Sequence, residues 1–477
     1  MRKISYYIVT FLFAINISCS ATNLPSNHKG NVSPFEYGLA KAKNGVERYQ
    51  VLLKTHQAAV AAGVNVDYTG IDTIEIEIPV NSERIPLTRY NDFKGCVFKV
   101  KNTSGNCWLF NIEEKGTRIF VGKKRIDSGN FLTIESLKQG RFLLLIVDRN
   151  PWVQNRKGYS YGHRRRDILL IENGMAQNSV VMPYDNEFSS PRCSFIRLGK
   201  EPLIIKNILI ERDPGCTFLT HIAYISGFDN VQISNVNVHT PPSHLVDDRG
   251  IQIYNCTNVT LDNVHIDGTY SRKDHSGYGL NLGNVWNFKA TRLYGRGNWG
   301  IFGNNNVNNA RIEDSEINRF DIHCYGKDIS FSHVYFFDRN NQFGSVYGTI
   351  RFENCTFTDF IPVVNGGSYN AYVSHNVIFN DCIFNVTPKK NYAFWMRNMD
   401  DVPNARHELS EKHWPNVIIK NLTVNMKNGA KKFYIFRSKI TDDMMSSIRR
   451  QSKLSVEGLT IASDDGTPVQ SKVLMQK

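Results

Sequence analysis

The chain contains 477 residues, of which 41% are hydrophobic, 21% charged and 12% aromatic. This composition excludes an intrinsically disordered chain and a bundle of membrane-spanning helices. Lysine and arginine number 57 against 44 aspartates and glutamates, which gives a net charge of +13. The 34 glycines and the lack of long helix-forming runs exclude a mainly helical protein and favour an all-β fold with many tight turns.

The first twenty residues have the pattern of an export signal. Arg2 and Lys3 form a basic start, residues 6–17 are apolar but too short to span a membrane comfortably, and small residues follow. We therefore expect residues 1–20 to be a signal peptide that directs the protein to the periplasm, the outer-membrane surface or the medium. Cys19 is the alternative, as a lipid-bearing first residue, and a lipid anchor would be the protein's only membrane contact.

The segment that follows the signal predicts an N-terminal cap. Within residues 21–66, the stretch 46–64 has the pattern of an amphipathic helix, which would cover the open end of the strands that come next. Residues 72–110 have the sequence pattern expected of the first strands of the sheet. Residues 110–190 break the later period and predict an inserted β or loop region.

A repeat begins near residue 200 and defines the rest of the chain. Units of alternating apolar and polar residues occupy positions 205–210, 233–238, 261–266, 312–317, 331–336, 352–357, 379–384 and 419–424. The third position of these units, with Arg292 in the same series, holds Asn207, Asn235, Asn263, Asp314, His333, Asn354, Asp381 and Asn421, at intervals of 19 to 40 residues. Alternation of this kind is strand periodicity.

Such a repeat predicts a right-handed parallel β-helix, in which stacked coils share one continuous core. The recurrent asparagine favours a bend whose amides hydrogen-bond from coil to coil, although ordinary turn chemistry explains it equally well. We assign the β-helix to residues 67–440 and a C-terminal cap or tail to residues 441–477. Buried cysteines fit as small core residues, with Cys96–Cys107 as the candidate disulfide.

A second strand series predicts a shallow trough on the outside of the coils. By alternation, Gln252, Asn281, Phe302 and His323 form one outward row, and Tyr254, Asn304 and Tyr325 belong to the next. The glycines Gly250, Gly279 and Gly300 would keep a third row bare. A wall that only faces solvent does not need such a row.

These features resemble the pectate-lyase-like parallel β-helix superfamily, which includes polysaccharide lyases, glycoside hydrolases, uronate epimerases and phage tailspikes. The segment Arg319-Phe-Asp-Ile-His-Cys-Tyr325 resembles the alginate epimerase motif Tyr-Gly-Phe-Asp-Pro-His-Asp, but it retains only the Phe, Asp321 and His323. A basic, exported β-helix is also similar to the glycosaminoglycan lyases of gut Bacteroidetes. The resemblance implies an enzyme that acts on uronate-containing polysaccharides.

Breaking a uronate glycosidic bond by β-elimination requires a carboxylate neutraliser, a base and an acid. We predict His323 as the base, Tyr325 or Tyr278 as the acid, and Asn281 with Arg296 or Arg339 as neutralisers. The residues predicted to bind substrate are His275, Asn298, Asn304, Arg319, Arg339, Trp299, Arg164 and Arg165. The last two lie in the densest basic run, residues 155–166, which would form one wall of a polyanion cleft.

The predicted function is therefore an exported, monomeric lyase that cleaves an acidic, glycosaminoglycan-like polysaccharide such as chondroitin sulfate or hyaluronan. No cofactor is required, although Asp247, Asp248 and Asp274 offer oxygen ligands for calcium. Export makes nucleic acid an unsuitable partner. Two alternatives stay open: a β-helix hydrolase or epimerase, with Asp274 and Asp321 as the suggestive carboxylate pair, and a glycan-binding solenoid without catalysis.

Overall fold

The computed structural model describes residues 30–101, 107–114, 116–153, 163–181, 183–184, 190–213, 220–239, 249–267, 277–296, 300–337, 341–343, 346–358, 362–364, 374–389, 391–396, 415–430, 432–438, 453–463 and 474–476. Its helices are α1 (Gly45–Ala62), α2 (Lys123–Ser128) and two 3-10 turns, Leu39–Lys41 and Glu135–Leu137. The strands before and within the inserted region are β1 (Thr73–Glu77), β2 (Ile85–Pro86), β3 (Tyr90–Asp92), β4 (Val97–Lys101), β5 (Cys107–Glu113), β6 (Thr117–Arg118), β7 (Arg141–Val153), β8 (His163–Glu172), β9 (Met175–Ala176) and β10 (Pro191–Arg197).

The repeat region contains the remaining strands. They are β11 (Leu203–Arg212), β12 (Thr220–Ser226), β13 (Asp229–His239), β14 (Arg249–Ile266), β15 (Tyr278–Gly295), β16 (Gly300–Glu313), β17 (Glu316–Ile317), β18 (Phe320–Cys324), β19 (Gly326–Ser332), β20 (Tyr335–Phe337), β21 (Asn341–Phe343), β22 (Val346–Glu353), β23 (Thr356–Thr358), β24 (Pro362–Val364), β25 (Ser374–Asn380), β26 (Ile383–Val386), β27 (Tyr392–Met396), β28 (Asn416–Met426), β29 (Tyr434–Ser438), β30 (Leu454–Ala462) and β31 (Leu474–Gln476).

Twenty-six of these strands form one parallel sheet that wraps into a solenoid with three faces. The first face stacks β2, β5, β12, the starts of β14, β15 and β16, and then β18, β21, β24, β27, β29 and β31. The second face begins at β3 and continues through β11, β13 and the middle of β14 to β19, β22, β25, β28 and β30. The third face begins at β1 and β4 and passes through the ends of β11, β13, β14 and β15 to β17, β20, β23 and β26. The predicted all-β parallel β-helix is therefore confirmed.

The corner between the second and third faces is built by the residues that mark the repeat. All nine third-position residues, from Asn207 to Asn421, have a positive φ between 46° and 59°. Asparagine and aspartate tolerate this left-handed conformation better than most residues do. The side chain of Asn235 donates to Asn207 at 3.0 Å, and Asn263 donates to Asn235 at 2.9 Å. The predicted coil-to-coil amide bonds are present at this corner.

The core is the apolar interior enclosed by the three faces. Identical positions of successive coils place aromatic rings on one another: Phe331 stacks on Phe352 at 5.2 Å, and Phe352 stacks on Phe379 at 5.0 Å. Cys355 and Cys382 are buried free thiols in the same interior, as expected. The predicted Cys96–Cys107 disulfide is wrong, because Cys96 is a buried free thiol.

Helix α1 closes the N-terminal end of the solenoid. It begins where the Asn44 side chain accepts a hydrogen bond from the Glu47 amide at 2.8 Å, and it ends at Gly63, whose φ is 66°. Tyr49 and Leu52 are fully buried against the first coil. The helix predicted over residues 46–64 is thereby confirmed.

The inserted region forms a separate antiparallel sheet with the strand order β6-β10-β7-β8-β9. One side of this sheet, which includes Leu144 and Leu169, packs with α2 into a core of its own. The other side presents Leu143, Ile168 and Leu170, which pack against Trp286 on the second face of the solenoid. The inserted sheet is therefore docked on the solenoid near the corner between its first and second faces.

Candidate functional site

The register of the first face differs from the outward rows predicted by alternation. Gln252 pairs with Asn281 as expected, but Asn281 pairs with Gly303, and Gly303 pairs with Asp321. Phe302 and His323 are therefore not members of this row. The row runs Tyr224, Gln252, Asn281, Gly303, Asp321 and Gln342.

A β-bulge explains the error at β18. The pairing of β18 with β16 shifts register between Ile322 and Cys324, so that His323 is an additional residue. Tyr325 follows with a φ of 64° and is fully buried. The prediction that Tyr325 faces the trough as an acid is therefore wrong. Asn304 pairs with Ile322, which is buried.

Tyr278 is the predicted site residue that the structure places in a charged network. It is partly exposed, and its hydroxyl donates a hydrogen bond to Oδ2 of Asp321 at 2.7 Å. The guanidinium of Arg319 contacts the same oxygen at 2.7 Å. Asp321 is only 1% exposed and Arg319 is 12% exposed. A buried ion pair thus holds the hydroxyl of a tyrosine that reaches the surface.

Tyrosine rings from the preceding coil lie over two glycines, Gly300 and Gly283. A Cβ atom on Gly300 would lie 3.2 Å from the Tyr278 ring and 3.3 Å from the Arg319 side chain. A Cβ atom on Gly283 would lie 2.5 Å from the Tyr254 ring. The glycines therefore provide the space that lets Tyr278 and Tyr254 lie across the next coil. Gly300 pairs with Tyr278, so it does not share a row with Gly250 and Gly279 as predicted.

Asn281 is buried and bound to the second tyrosine. Its side-chain amide donates to the Tyr254 hydroxyl at 3.1 Å, and it is 8% exposed. Tyr254 stacks on Tyr224 with ring centroids 5.8 Å apart, and Tyr224 contacts Trp108 edge to face at 4.8 Å. Burial is the main cause that raises the pKa of Tyr224, so its hydroxyl stays protonated. A line of aromatic rings thus follows the first face from β5 to β14.

The two tyrosines and the aromatic line form what we name the first-face groove. It comprises Trp108, Tyr224, Tyr254, Tyr278, Asn281, Arg319 and Asp321. Sequence reasoning identified most of these residues individually but missed the pairing of Tyr278 with Asp321 and the purpose of Gly283. The sequence signal that could have revealed these contacts is a glycine one coil beyond each tyrosine: Gly283 pairs with Tyr254, and Gly300 pairs with Tyr278.

Arg296 lies on the third face, away from its predicted partner Asn281. Its side chain is 72% exposed and pairs with Glu316 at 3.1 Å. Nearby, His265 contacts Asp267 at 3.1 Å, and this hydrogen bond is the main cause that raises the pKa of His265. The prediction that Arg296 and Asn281 together hold a carboxylate is wrong, because they lie on different faces.

Arg164 and Arg165 have opposite environments on β8. Arg165 is fully buried, lies 3.7 Å over the ring of Tyr184, and donates to the carbonyl of Pro183 at 3.0 Å. Its predicted contact with substrate is therefore wrong, since strand alternation directs it into the core of the inserted sheet. Arg164 is exposed, as the prediction requires.

Several predicted positions lie outside the described residues. They are the signal residues 1–20 with Cys19, the substrate-binding His275, Asn298, Trp299 and Arg339, and the calcium candidates Asp247, Asp248 and Asp274; for His323 and Asn304 only the backbone is described. Among the residues described, no group of three or more histidines, cysteines, aspartates or glutamates is arranged to hold a metal ion. In the same part of the chain, no helix is long and apolar enough to cross a membrane.

Comparison with known proteins supports the fold. No model of a known protein family matches the chain, and no curated protein matches it in sequence. The structure is similar to that of the tailspike protein gp49 from Pseudomonas phage LKA1, with a TM-score of 0.53 and 11% identity over 92% of this chain and 79% of that chain. It also matches the Gp54 tailspike of Acinetobacter baumannii bacteriophage AP22, solved with a capsular saccharide (TM-score 0.47, 10% identity, 91% of this chain and 70% of that chain). A third match is the endo-xylogalacturonan hydrolase of Aspergillus tubingensis (TM-score 0.30, 12% identity, 90% and 92% of the chains). Of these three, the likeness to gp49 alone exceeds a TM-score of 0.5, and at 11% identity it establishes the β-helix fold rather than an activity.

Proposed function

We propose that the protein binds an acidic polysaccharide in the first-face groove and cleaves it by β-elimination beside a uronate carboxylate. The observation that carries this proposal is the hydrogen bond from Tyr278 to the buried pair of Asp321 and Arg319. Burying an ion pair on the outside of a solenoid costs free energy, which hydrophobic packing would avoid. A buried carboxylate that accepts a hydrogen bond from a hydroxyl at the surface is a candidate site of proton transfer.

The geometry supports Tyr278 as the base. Asp321 accepts the hydroxyl proton, which allows the phenol oxygen to remove the proton at carbon five of the uronate. The electron pair of that bond forms the carbon–carbon double bond, and the bond to the leaving oxygen breaks. Arg319 compensates the charge of Asp321 and holds its carboxylate in place.

The leaving oxygen needs a proton, and His323 is the candidate acid. It follows Asp321 by two residues on β18, so it belongs to the same coil. This assignment reverses the roles expected from the sequence, because the hydrogen bond of Tyr278 is directed toward a proton acceptor. Asp321 takes part in the proton transfer through Tyr278, and Arg319 acts as a positioning residue.

The substrate class follows from shape and charge. Tyrosine and tryptophan rings offer flat apolar surfaces with polar edges, which suit the faces and hydroxyls of sugar rings. A net charge of +13 attracts a polyanion at each step of approach, whereas a neutral glycan gains nothing from it. An acidic polysaccharide therefore fits the first-face groove better than a neutral one.

The test is a product scan over chondroitin sulfate, hyaluronan, heparin, alginate and pectate. An unsaturated uronate absorbs ultraviolet light, so a rise in absorbance with matching product masses supports β-elimination. New reducing ends without that absorbance would identify a hydrolase instead. Inverted uronates without chain shortening would identify an epimerase. Retention on a polysaccharide column without any product would leave only the binding role.

A further inference from the structure

The strands β7 and β8 of the inserted sheet run along the solenoid axis. Arg141, at the start of β7, binds Asp229 on β13 at 2.5 Å. Strand β7 contacts β14, and β8 contacts β15 and β16, so the inserted sheet meets successive coils of the solenoid. Asp167, which pairs with Ile146 on β7, also interacts electrostatically with Lys327 on β19. From Asp229 to Lys327 the second face rises four coils, about 19 Å, while five residues of β7 extend about 17 Å. The two lengths are similar, as expected for strands that run along the axis.

The far end of this sheet carries exposed arginines on the side that faces the solenoid. Arg166 and Arg192 pair with Val147 from its two neighbouring strands, and they lie on the side of Ile168, which packs against Trp286. Arg164 is two residues from Arg166 and is exposed with it, while Arg165 between them is buried. Together with the exposed Arg149, these residues form what we name the arginine cluster.

The arginine cluster differs from the other exposed cations near it. On the second face, Lys289 pairs with Glu313, Arg292 with Asp262, and Arg351 with Glu353, at distances of 2.6 to 3.1 Å. Among the described residues, by contrast, no acidic group lies within 4 Å of the following three arginines: Arg149, Arg164 and Arg192. Arg166 and Arg192 lie on the two strands that flank β7, about 10 Å apart from backbone to backbone, so one anion placed between their side chains would be attracted by both. An arrangement of this kind gains stability when an anion binds.

The arginine cluster lies beside the coil that contains Asp321. Strands β18 and β19 belong to one coil, so Asp321 and Lys327 are six residues apart within it. Strand β8 contacts β15 and β16, and its Asp167 interacts electrostatically with Lys327. Arg166 and Arg164 precede Asp167 at the start of β8, so they lie beside the coil of Asp321 or further along the axis. The inserted sheet is docked on Trp286, near the corner between the first and second faces, so the cluster lies on the side of the solenoid next to the first-face groove.

We infer that the arginine cluster binds the anionic substituents, sulfate or carboxylate, of the polysaccharide in the first-face groove. This inference rests on the proposed function for the identity of the polymer. The planar guanidinium groups pair with both anions through two parallel hydrogen bonds. The inserted sheet thus selects polymers whose charged groups come next to the coil of Asp321.

The test compares two double variants with the same loss of charge. Arg164→Gln with Arg192→Gln removes two arginines of the cluster, and Lys124→Gln with Arg125→Gln removes two cations from α2, on the opposite side of the sheet. Affinity for a size-defined chondroitin sulfate oligosaccharide is measured by fluorescence anisotropy, with thermal unfolding as the folding control. We expect at least about fivefold weaker binding for the cluster variant at low salt, and a difference that vanishes near 1 M salt, where the screening length is about 3 Å.

Each outcome decides between the explanations. Equal affinities for the two variants would overturn the inference, and so would tighter binding of a single-stranded oligonucleotide than of the oligosaccharide through the same arginines. A selective loss of binding by the cluster variant, in a wild-type protein that cleaves no polysaccharide, would uphold the anion site and refute the lyase. Cleavage with unchanged affinity and KM in the cluster variant would uphold the lyase and refute the anion site. A desulfated oligosaccharide distinguishes sulfate from carboxylate recognition.

Discussion

The replacement Tyr278→Phe tests the proposed site most directly. It removes one hydroxyl and leaves the ring that lies across Gly300. If Tyr278 transfers the proton, the rate should fall by about 10² to 10⁴, which corresponds to about 2.7–5.4 kcal/mol of activation free energy. The assay is the initial rate of double-bond formation on the best substrate, with kcat and KM determined separately.

The effect on stability should be smaller than the effect on rate. Asp321 loses one hydrogen bond at 2.7 Å but keeps its contact with Arg319. A hydrogen bond to a charged group contributes about 1.5–3 kcal/mol, so the variant should remain folded at room temperature. Tyr294→Phe, on the third face, is the matched control and should retain full activity. A folded Tyr278→Phe protein within about threefold of the wild-type rate would refute the assignment.

Four further replacements probe the groove, the core and the inserted sheet. Gly283→Ala should displace the ring of Tyr254, because the new Cβ would lie 2.5 Å from it; KM should rise while the melting temperature changes little. Ile322→Asn should lower the free energy of unfolding by about 4 kcal/mol in denaturant titrations, because it removes a fully buried apolar side chain and buries an amide. Asp167→Asn should flatten the pH dependence of thermal unfolding, because burial raises the pKa of Asp167 to about 6. The wild type should therefore lose roughly 3 kcal/mol of unfolding free energy as the pH rises from about 4 to about 6. A variant that shows the same loss would contradict this. His323→Ala should reduce kcat by about 10² if His323 protonates the leaving oxygen, and full activity would remove it from the mechanism.

The fold was predictable because its signals are local and repeated. Each turn residue from Asn207 to Asn421 recurs with the same apolar neighbours, and each adopts the same left-handed conformation. The capping helix was readable for a similar reason, since Asn44 and Gly63 are standard residues at the start and end of a helix. Repetition lets a weak local preference be counted many times.

The site was only partly predictable because it depends on departures from the repeat. Strict alternation assigns every second residue to the outside, but the additional residue in β18 reverses that assignment from His323 onward. Tyr325 was therefore expected in the trough and is buried in the core. Nothing in the residue types marks the position of such a bulge.

The arginines of β8 show the same limit in another form. Alternation requires that Arg165 faces the opposite side from Arg164 and Arg166, and this holds. Which side is the inside depends on the packing of Ile168 against Trp286, and those residues are far apart in the sequence. Long-range docking, not local pattern, decides which arginines reach a ligand.

The arrangement of the two sheets would let one linear ligand contact both. Strands of the solenoid cross its axis, so each coil contributes one side chain to a row such as Gln252, Asn281 and Asp321. Strands β7 and β8 run along the axis, so a single strand contributes side chains to several consecutive coils. A polymer lying along the first face would therefore meet the proton-transfer group from the solenoid and charged groups from the inserted sheet at the same axial level. Changes in the inserted sheet could alter the preferred anion pattern without moving Tyr278 or Asp321, which separates recognition from chemistry.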